Sequence, residues 1–227
     1  RLLWSALSRA VRSPSRVDRE IAVPSASPPF RVPAGPQFVS EVSNALEIGY
    51  RAQPSARASY SVTAFVHDHD DLRSGELRPG GFTIENRLEG RTRGLEGWGT
   101  LQATPSWRLS GGFVLLDQDL VREPGSTANV FGEGNDPSHR WMLRSSHDLG
   151  DRVELDIIVQ RMGALPSPSV PAYTSLDFRL GWSISPSTTL ELAGQNLLDS
   201  AHPEFGAFPA RAEIPRSVFV RLRLRQD

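Results

Sequence analysis

The sequence predicts an all-β fold whose strands form an antiparallel transmembrane β-barrel, and three observations carry this prediction. From Leu176 to Trp182 every second residue is apolar, which is typical of a strand with one apolar and one polar face. Short and long connections alternate between such segments. No run of about 18 apolar residues occurs, so the sequence contains no candidate transmembrane helix, whereas a barrel strand needs only about 9–11 residues.

Ten segments carry a strand-like pattern. They run over Leu2–Arg12, Val42–Ala52, Arg57–His67, Arg87–Thr104, Trp107–Gln118, His139–Asp148, Arg152–Met162, Tyr173–Ser183, Thr188–Leu197 and Arg216–Arg225. In the last segment Arg221, Arg223 and Arg225 would spread around a helix, but they form one charged row on a strand. The other clear alternations set apolar or aromatic residues on one side: Leu46, Ile48, Tyr50; Tyr60, Val62, Ala64, Val66; Trp107, Leu109, Phe113, Leu115; Val153, Leu155, Ile157, Val159.

The connections between these segments are sorted by length. The short ones fall near Gln53–Ala56, Pro105–Ser106, Leu149–Asp151 and Ile184–Ser187. The long ones are Ser13–Glu41, Asp68–Asn86, Asp119–Ser138, Gly163–Ala172 and Leu198–Pro215, and the proline-rich Pro24–Pro36 is predicted to be irregular loop. Outer-membrane barrels have short periplasmic turns and longer extracellular loops, so this order favours a barrel over a soluble β-sandwich.

Composition narrows the function classes. Of 227 residues 38% are hydrophobic, which is low for a soluble domain with a dry core, and there is no Cys for disulfide or thiol chemistry. The formal net charge of −1 predicts no nucleic-acid partner. The chain begins at Arg1 with no signal peptide and enters a strand pattern at Leu2, so we expect it to be a piece of a longer chain.

Four motifs, in this order and spacing, resemble the C-terminal barrel of TonB-dependent outer-membrane receptors. They are Leu3–Arg16 (LWSALSRAVRSPSR), Glu41–Arg51 (EVSNALEIGYR), Arg93–Glu96 (RGLE) and Leu190–Asp199 (LELAGQNLLD). The resemblance implies a 22-stranded, plugged barrel of which residues 1–227 would supply about the last ten strands, as a curved meander sheet. The plug domain, the TonB-contacting segment and the first half of the barrel would lie outside this chain. One departure is that family members usually end in an aromatic residue, whereas this chain ends in Asp227.

The sequence predicts no enzyme, since neither a nucleophile motif nor a phosphate-binding loop is present. Acidic residues in the strands face the polar side beside Arg, which indicates ion pairs. His67, His69 and Asp70 are metal-ligating types, but they end a strand and enter a long connection, which favours a solvated loop; we predict no metal site and no cofactor.

The resemblance implies a set of residues that line the barrel interior beside the plug. They are Arg9, Arg12, Arg16, Glu47 and Arg51. The alternative is a hydrated interior in which these charges have no specific partner. The residues that contact a ligand cannot be assigned from the sequence, although the long connections would meet it.

Three functions remain open at this point. The first is a receptor in the outer membrane of a Gram-negative bacterium that binds a scarce nutrient (a ferric siderophore, a cobalamin-like cofactor or an oligosaccharide) and imports it with a TonB-type energy-transducing complex. Its partners would be outer-membrane lipid, that complex and the small ligand. The second is a passive porin-like channel, and the third is a soluble carbohydrate-binding β-sandwich.

Overall fold

An antiparallel meander of ten strands forms the body of the molecule. The computed structural model describes residues 1–20, 22–24, 31–33, 35, 37–79, 81–128 and 135–225. The strands are β1 Leu2–Arg12, β2 Ala22–Pro24, β3 Arg31–Pro33, β4 Glu41–Ser55, β5 Ala58–Arg78, β6 Gly81–Thr104, β7 Trp107–Arg122, β8 His139–Asp148, β9 Val153–Met162, β10 Leu165–Pro166, β11 Ser169–Val170, β12 Tyr173–Ser185, β13 Thr188–Gln195, β14 Ala201–Pro203, β15 Glu213–Pro215 and β16 Ser217–Leu224; the helix α1 is Arg16–Glu20.

The long strands pair in chain order. Their sequence across the sheet is β1-β4-β5-β6-β7-β8-β9-β12-β13-β16, and each neighbouring pair is antiparallel. β1 and β16 pair on one side only, so the sheet does not close on itself. The predicted all-β fold and its antiparallel meander of ten strands are confirmed.

The two faces of this sheet differ in chemistry and in burial. The register places Leu7 beside Leu46 and Leu46 beside Val66 at one edge of the sheet, and Leu180 beside Leu192 and Leu192 beside Val220 at the other edge. Followed from strand to strand, these apolar residues lie on one face. This apolar face is exposed: Leu7 is 83% and Val220 67% accessible, whereas Ser175 on the polar face is 3% accessible. A water-soluble sheet shows the reverse, because its apolar side chains leave the solvent.

Toward the long connections, charged side chains replace the apolar ones on the apolar face. Val66 is followed on the same face by Asp68, which pairs with Arg91 at 2.6 Å, and the next pair along the row is Arg93 with Asp117 at 2.7 Å. We call these residues the charged belt. Since β5, β6 and β7, which carry the belt, continue through it, the change from apolar to charged residues does not mark an end of the sheet.

The prediction of a long loop at Asp68–Asn86 is wrong, because β5 and β6 continue through it as one hairpin. A bulge between His69 and Leu72, with Asp71 at φ 57°, interrupts the alternation of apolar and polar residues. The sequence pattern therefore does not indicate that the strand continues. Beyond the bulge the hairpin buries Ile84 and Leu88. These buried side chains stabilise the pairing of β5 with β6 beyond the bulge.

The other long connections also contain ordered elements. Residues 13–41 include α1 and the pair β2–β3, residues 163–172 the pair β10–β11, and residues 198–215 the pair β14–β15. Of the segment predicted to be irregular, residues 25–30, 34 and 36 lie outside the described part of the chain. Within the described residues, no helix has the length and hydropathy needed to cross a membrane.

Candidate functional site

Charged side chains of the polar face meet near the short connections. Arg179 of β12 is central: its Nε donates to Glu191 on β13 at 2.8 Å. Its Nη1 donates to Glu154 and Asp156 on β9, at 3.1 and 3.3 Å. One guanidinium therefore joins three adjacent strands, in the fork geometry that Arg offers to carboxylates.

Further Arg residues extend this network to five strands. Glu191, which is almost fully buried, also lies 3.3 Å from Arg221 and 3.9 Å from Arg223 on β16. Asp156 accepts a hydrogen bond from Arg144 on β8 at 2.9 Å. These contacts are the ion pairs expected from the sequence. Because an Arg guanidinium stays protonated near neutral pH, the arrangement suits electrostatic support and not acid–base chemistry.

The residues predicted to line the interior do not all lie together. Arg12, Glu47 and Arg51 are on the polar face by register. Arg9 pairs with Asn44 on the apolar face, in line with Leu7, so its predicted inward position is not observed. The pattern misled because Ser8-Arg9-Ala10 interrupts the alternation of β1. Arg16 lies in α1, where it is exposed and pairs with Glu20 at 2.9 Å.

Beyond the charged belt, segments from three long connections pack together around two buried acids. We call residues 13–20, 35, 37–41, 71–79, 81–88 and 122–128 the outer cap. Its apolar residues Phe38, Ile84, Leu88 and Ala128 are almost inaccessible. The outer cap thus has the dry interior that the sheet lacks.

Asp18 is the first buried acid of the outer cap. It accepts hydrogen bonds from the backbone N–H and Oγ of Ser15 at 2.8 and 2.9 Å, and it lies 3.1 Å from Arg12 and 3.2 Å from Arg73. Burial alone would raise the pKa of Asp18, but these bonds outweigh it and hold the pKa below its ordinary value. Asp18 therefore links α1 to β1 and to the β5–β6 hairpin as a fixed negative charge.

Glu76 is the second buried acid and is completely inaccessible. It accepts hydrogen bonds from Ser126 Oγ at 2.7 Å and from the N–H and Oγ1 of Thr127 at 2.6 and 3.0 Å. Burial raises the pKa of this carboxyl, yet the hydrogen bonds more than compensate, so the pKa is lower than usual. Glu76 in this way fastens the segment after β7 to the β5–β6 hairpin.

A third ordered group lies where β12 begins. The rings of Tyr173 and His202 stack with centroids 3.9 Å apart, and the Tyr173 hydroxyl donates to Glu204 at 3.0 Å. This group holds the β14–β15 segment against the sheet.

The turn between β14 and β15 is unusually exposed for its composition. Phe208 is 80% accessible and Phe205 63%, and the guanidinium of Arg211 lies 5.8 Å from the ring centre of Phe208. Exposed aromatic rings beside a cation contribute little to folding, and they can contact a ligand. The turn is the strongest candidate for a ligand contact in the described part of the chain.

The structure places the three residues of metal-ligating type, His67, His69 and Asp70, on two different faces of the sheet. His67 and His69 point to the polar face, whereas Asp70 pairs with Val42 on the opposite face. Across the described residues, no group of three or more His, Cys, Asp or Glu side chains could hold a metal ion.

Sequence reasoning missed Asp18 and Glu76, because both lie in segments predicted to be long connections. For Asp18 a signal existed: Ser15-x-x-Asp18 has the spacing of a capping box at the start of a helix. The structure shows both of its bonds, with Asp18 N–H donating to Ser15 Oγ at 3.3 Å and Ser15 N–H donating to Asp18. Glu76 has no such local signal, since its partners are about fifty residues away.

Solved structures similar to this chain are barrels of large receptors. They include the pyoverdine outer membrane receptor FpvA from Pseudomonas aeruginosa bound to pyoverdine (TM-score 0.73, 12% identity, 99% of this chain, 34% of that chain). The ferric-catecholate import receptor Fiu from E. coli (0.72, 18%, 97%, 32%) and the copper transporter OprC (0.71, 14%, 98%, 38%) are similar in the same way. At these identities the likeness shows the fold, and the chain spans about a third of each of these proteins.

Sequence comparison gives the family directly. No curated protein matches the chain. A family description, TonB dependent receptor-like β-barrel, matches residues 2–197, which is most of the sequence. The chain therefore belongs to the family of TonB-dependent receptor β-barrels.

Proposed function

We propose that this chain is the C-terminal part of a larger outer-membrane receptor that binds a small nutrient outside the cell and imports it with energy from a TonB-type complex. The observation that carries the proposal is the exposed apolar face, which ends at the charged belt. A face of this kind suits contact with lipid, and the charges above it suit the head-group region. The apolar rows are exposed, so they do not pack on a second sheet as a soluble sandwich requires.

The substrate class that we propose is a compact metal chelate such as a ferric siderophore. Phe205 and Phe208 form an exposed aromatic turn, with the part-buried Arg211 beside Phe208, which suits an aromatic ligand. The similar structures include a pyoverdine receptor and a ferric-catecholate import receptor. A cobalamin-like cofactor or an oligosaccharide would use the same turn through apolar or stacking contacts alone.

On the polar face, we propose that Arg12, Glu47 and Arg51 face the plug domain of the full receptor. Arg12 is the most constrained of the three, since it already pairs with Asp18 and Glu41. The TonB-contacting segment would lie in the part of the receptor outside this chain.

Uptake by cells tests the proposal. The gene is deleted in its host, and uptake of radiolabelled ferric siderophores is measured under iron restriction with and without a protonophore. We expect the deletion to abolish uptake of one siderophore class and the protonophore to stop that uptake in the parent strain. Uptake that depends on the gene but persists with the protonophore would instead identify a passive channel.

The exposed turn gives a residue-level test of the same proposal. Replacing Phe208 with Ala removes an exposed ring that contributes little to folding, so barrel stability should not change. Binding of the imported siderophore should weaken by about 1 kcal/mol, since a ring–cation or ring–ring contact contributes about that much. Leu198→Ala is the matched control, because Leu198 is also exposed in the same connection but is not part of the aromatic turn.

A further inference from the structure

Two histidines on β5 share one face of the sheet. His67 and His69 are separated by a single residue, so both side chains point to the polar face, while Asp68 and Asp70 point to the other. Two imidazoles at this spacing on a strand can approach one ion from the same side. The pair lies level with the charged belt, at the point where the interior of the barrel meets the outer cap.

The neighbours of the two rings on the polar face are small. His67 lies between Ala45 and Thr92, and His69 lies between Ser43 and Gly90. Small residues on both adjacent strands leave the imidazoles free to reorient above the sheet. Phe65, which precedes His67 on the same face of β5, has its ring centroid 5.1 Å from that of His67.

The distance between the rings is compatible with a shared ion. The centroids of His67 and His69 are 6.2 Å apart and the rings are nearly perpendicular, at 83°. With metal–nitrogen bonds of about 2.0–2.1 Å, two imidazoles bound to one ion hold their centroids about 4.5–6.4 Å apart. The separation of the rings is therefore already within this range, and a change of side-chain rotamer without movement of the strand would turn one nitrogen of each ring toward a shared ion.

The hydrogen bonding of the pair is incomplete. His69 Nε2 lies 3.1 Å from Thr92 Oγ1. His67 Nε2 is buried and has no hydrogen-bond partner among the described residues, which is unfavourable for a polar nitrogen. An ion shared with His69 would supply that partner.

We propose that His67 and His69 form a two-imidazole chelate for a divalent cation of the copper–zinc class on the interior wall of the barrel. Imidazole suits Cu²⁺, Ni²⁺ and Zn²⁺, whereas Mg²⁺ and Ca²⁺ prefer oxygen ligands. The interleaved carboxylates cannot contribute, because they are on the opposite face. The protein thus supplies two ligands, and water or an incoming donor completes the coordination. The site depends on the fold alone and does not require that the receptor import a metal chelate.

Copper titration of the full-length receptor tests this site. The receptor is purified in detergent, stripped with a chelator and titrated with Cu²⁺ by calorimetry, and the bound Cu²⁺ is characterised by electron paramagnetic resonance. We expect one class of Cu²⁺ with hyperfine coupling to two imidazole nitrogens, and affinity that falls from Cu²⁺ to Zn²⁺ to Mn²⁺. His67→Gln and His69→Gln should each weaken Cu²⁺ binding by more than about tenfold, since even loss of an outer-sphere partner costs that much.

Asp70→Asn is the matched control, because it alters the same strand but the other face, and its Cu²⁺ affinity should equal that of the parent. Spectra of the parent receptor without two-nitrogen coupling would overturn the proposal, and this measurement needs no variant. Equal Cu²⁺ affinity in the parent and in both folded His variants would also overturn it. These outcomes leave the import function untouched, since that function is tested by siderophore uptake.

Discussion

The sheet and the outer cap of this molecule place their polar and apolar residues in opposite ways. In the sheet the apolar rows are exposed, and the buried residues are polar, as with Ser175 and Glu191. In the outer cap Phe38 and Leu88 are buried, as in a soluble domain. The charged belt separates the two arrangements along continuous strands. Under the proposed function these two arrangements suit two solvents, lipid for the sheet and water for the outer cap.

Buried charge also differs between the two regions. In the sheet Glu191 is paired with Arg residues only. In the outer cap Glu76 is held by hydroxyl and backbone N–H donors, and Asp18 by Ser15 together with Arg12 and Arg73. Ion pairs thus join neighbouring strands on the polar face of the sheet, whereas both buried acids of the outer cap also accept hydrogen bonds from hydroxyl and backbone N–H donors. From this comparison we expect the cost in stability of a charge added to the apolar face to depend on its position relative to the charged belt. On the polar face we expect the cost of a substitution to depend on which ion-pair partners it removes.

The largest effect should come from placing charge on the apolar face. Leu143→Arg puts a guanidinium near the middle of the apolar band and should lower the free energy of unfolding by about 2–4 kcal/mol. Val121→Arg is the control: Val121 has the same face and the same 49% exposure, but it lies beyond the charged belt. Val121→Arg should therefore lower the free energy of unfolding by only about 0–1 kcal/mol. Urea unfolding of the full-length receptor in lipid vesicles measures both, and equal costs would show that the belt marks no boundary.

A smaller effect should follow from unpairing the polar face. Glu191→Ala leaves Arg179, Arg221 and Arg223 without their shared partner. Removal of one member of a fully buried pair costs about 3–5 kcal/mol, and since these Arg side chains are partly exposed we expect about 2 kcal/mol. Glu154→Ala removes an exposed partner of the same Arg179 and should cost less than about 1 kcal/mol. A larger loss of stability for Glu154→Ala than for Glu191→Ala would contradict this account of the network.

The same comparison explains what the sequence could predict. Alternation fixes the face of each residue in the sheet, so the ten strands and the Arg–carboxylate pairs could be inferred from it. The outer cap depends on contacts between distant segments, such as Glu76 with Thr127, and no local pattern records those. Arg9 was placed on the wrong face because its neighbours break the alternation, and the β5–β6 hairpin was missed because a bulge shifts it at Asp71.

The smallest and most local effect concerns the acid that fastens the outer cap. Glu76→Gln removes a charged acceptor from Ser126 and Thr127, and it should weaken the attachment of residues 122–128 by about 1 kcal/mol while the sheet is unchanged. Hydrogen exchange of the Thr127 amide, corrected for its intrinsic rate, measures this. Asp18→Asn is the matched control, since Asp18 is an equally buried acid that binds Ser15 and Arg12 instead.

The pH dependence of this attachment has a definite sign. The folded outer cap holds the pKa of Glu76 below its ordinary value of 4.5, so the carboxyl takes up a proton more readily when the cap is open. The stabilisation that Glu76 provides is therefore complete above pH 4.5 and is lost as the pH falls through the folded-state pKa. Protection of Thr127 should fall on acidification in the parent and stay level in Glu76→Gln. Protection that rose on acidification would mean that the burial of Glu76 outweighs its hydrogen bonds, and the outer cap would then be fastened by a neutral acid.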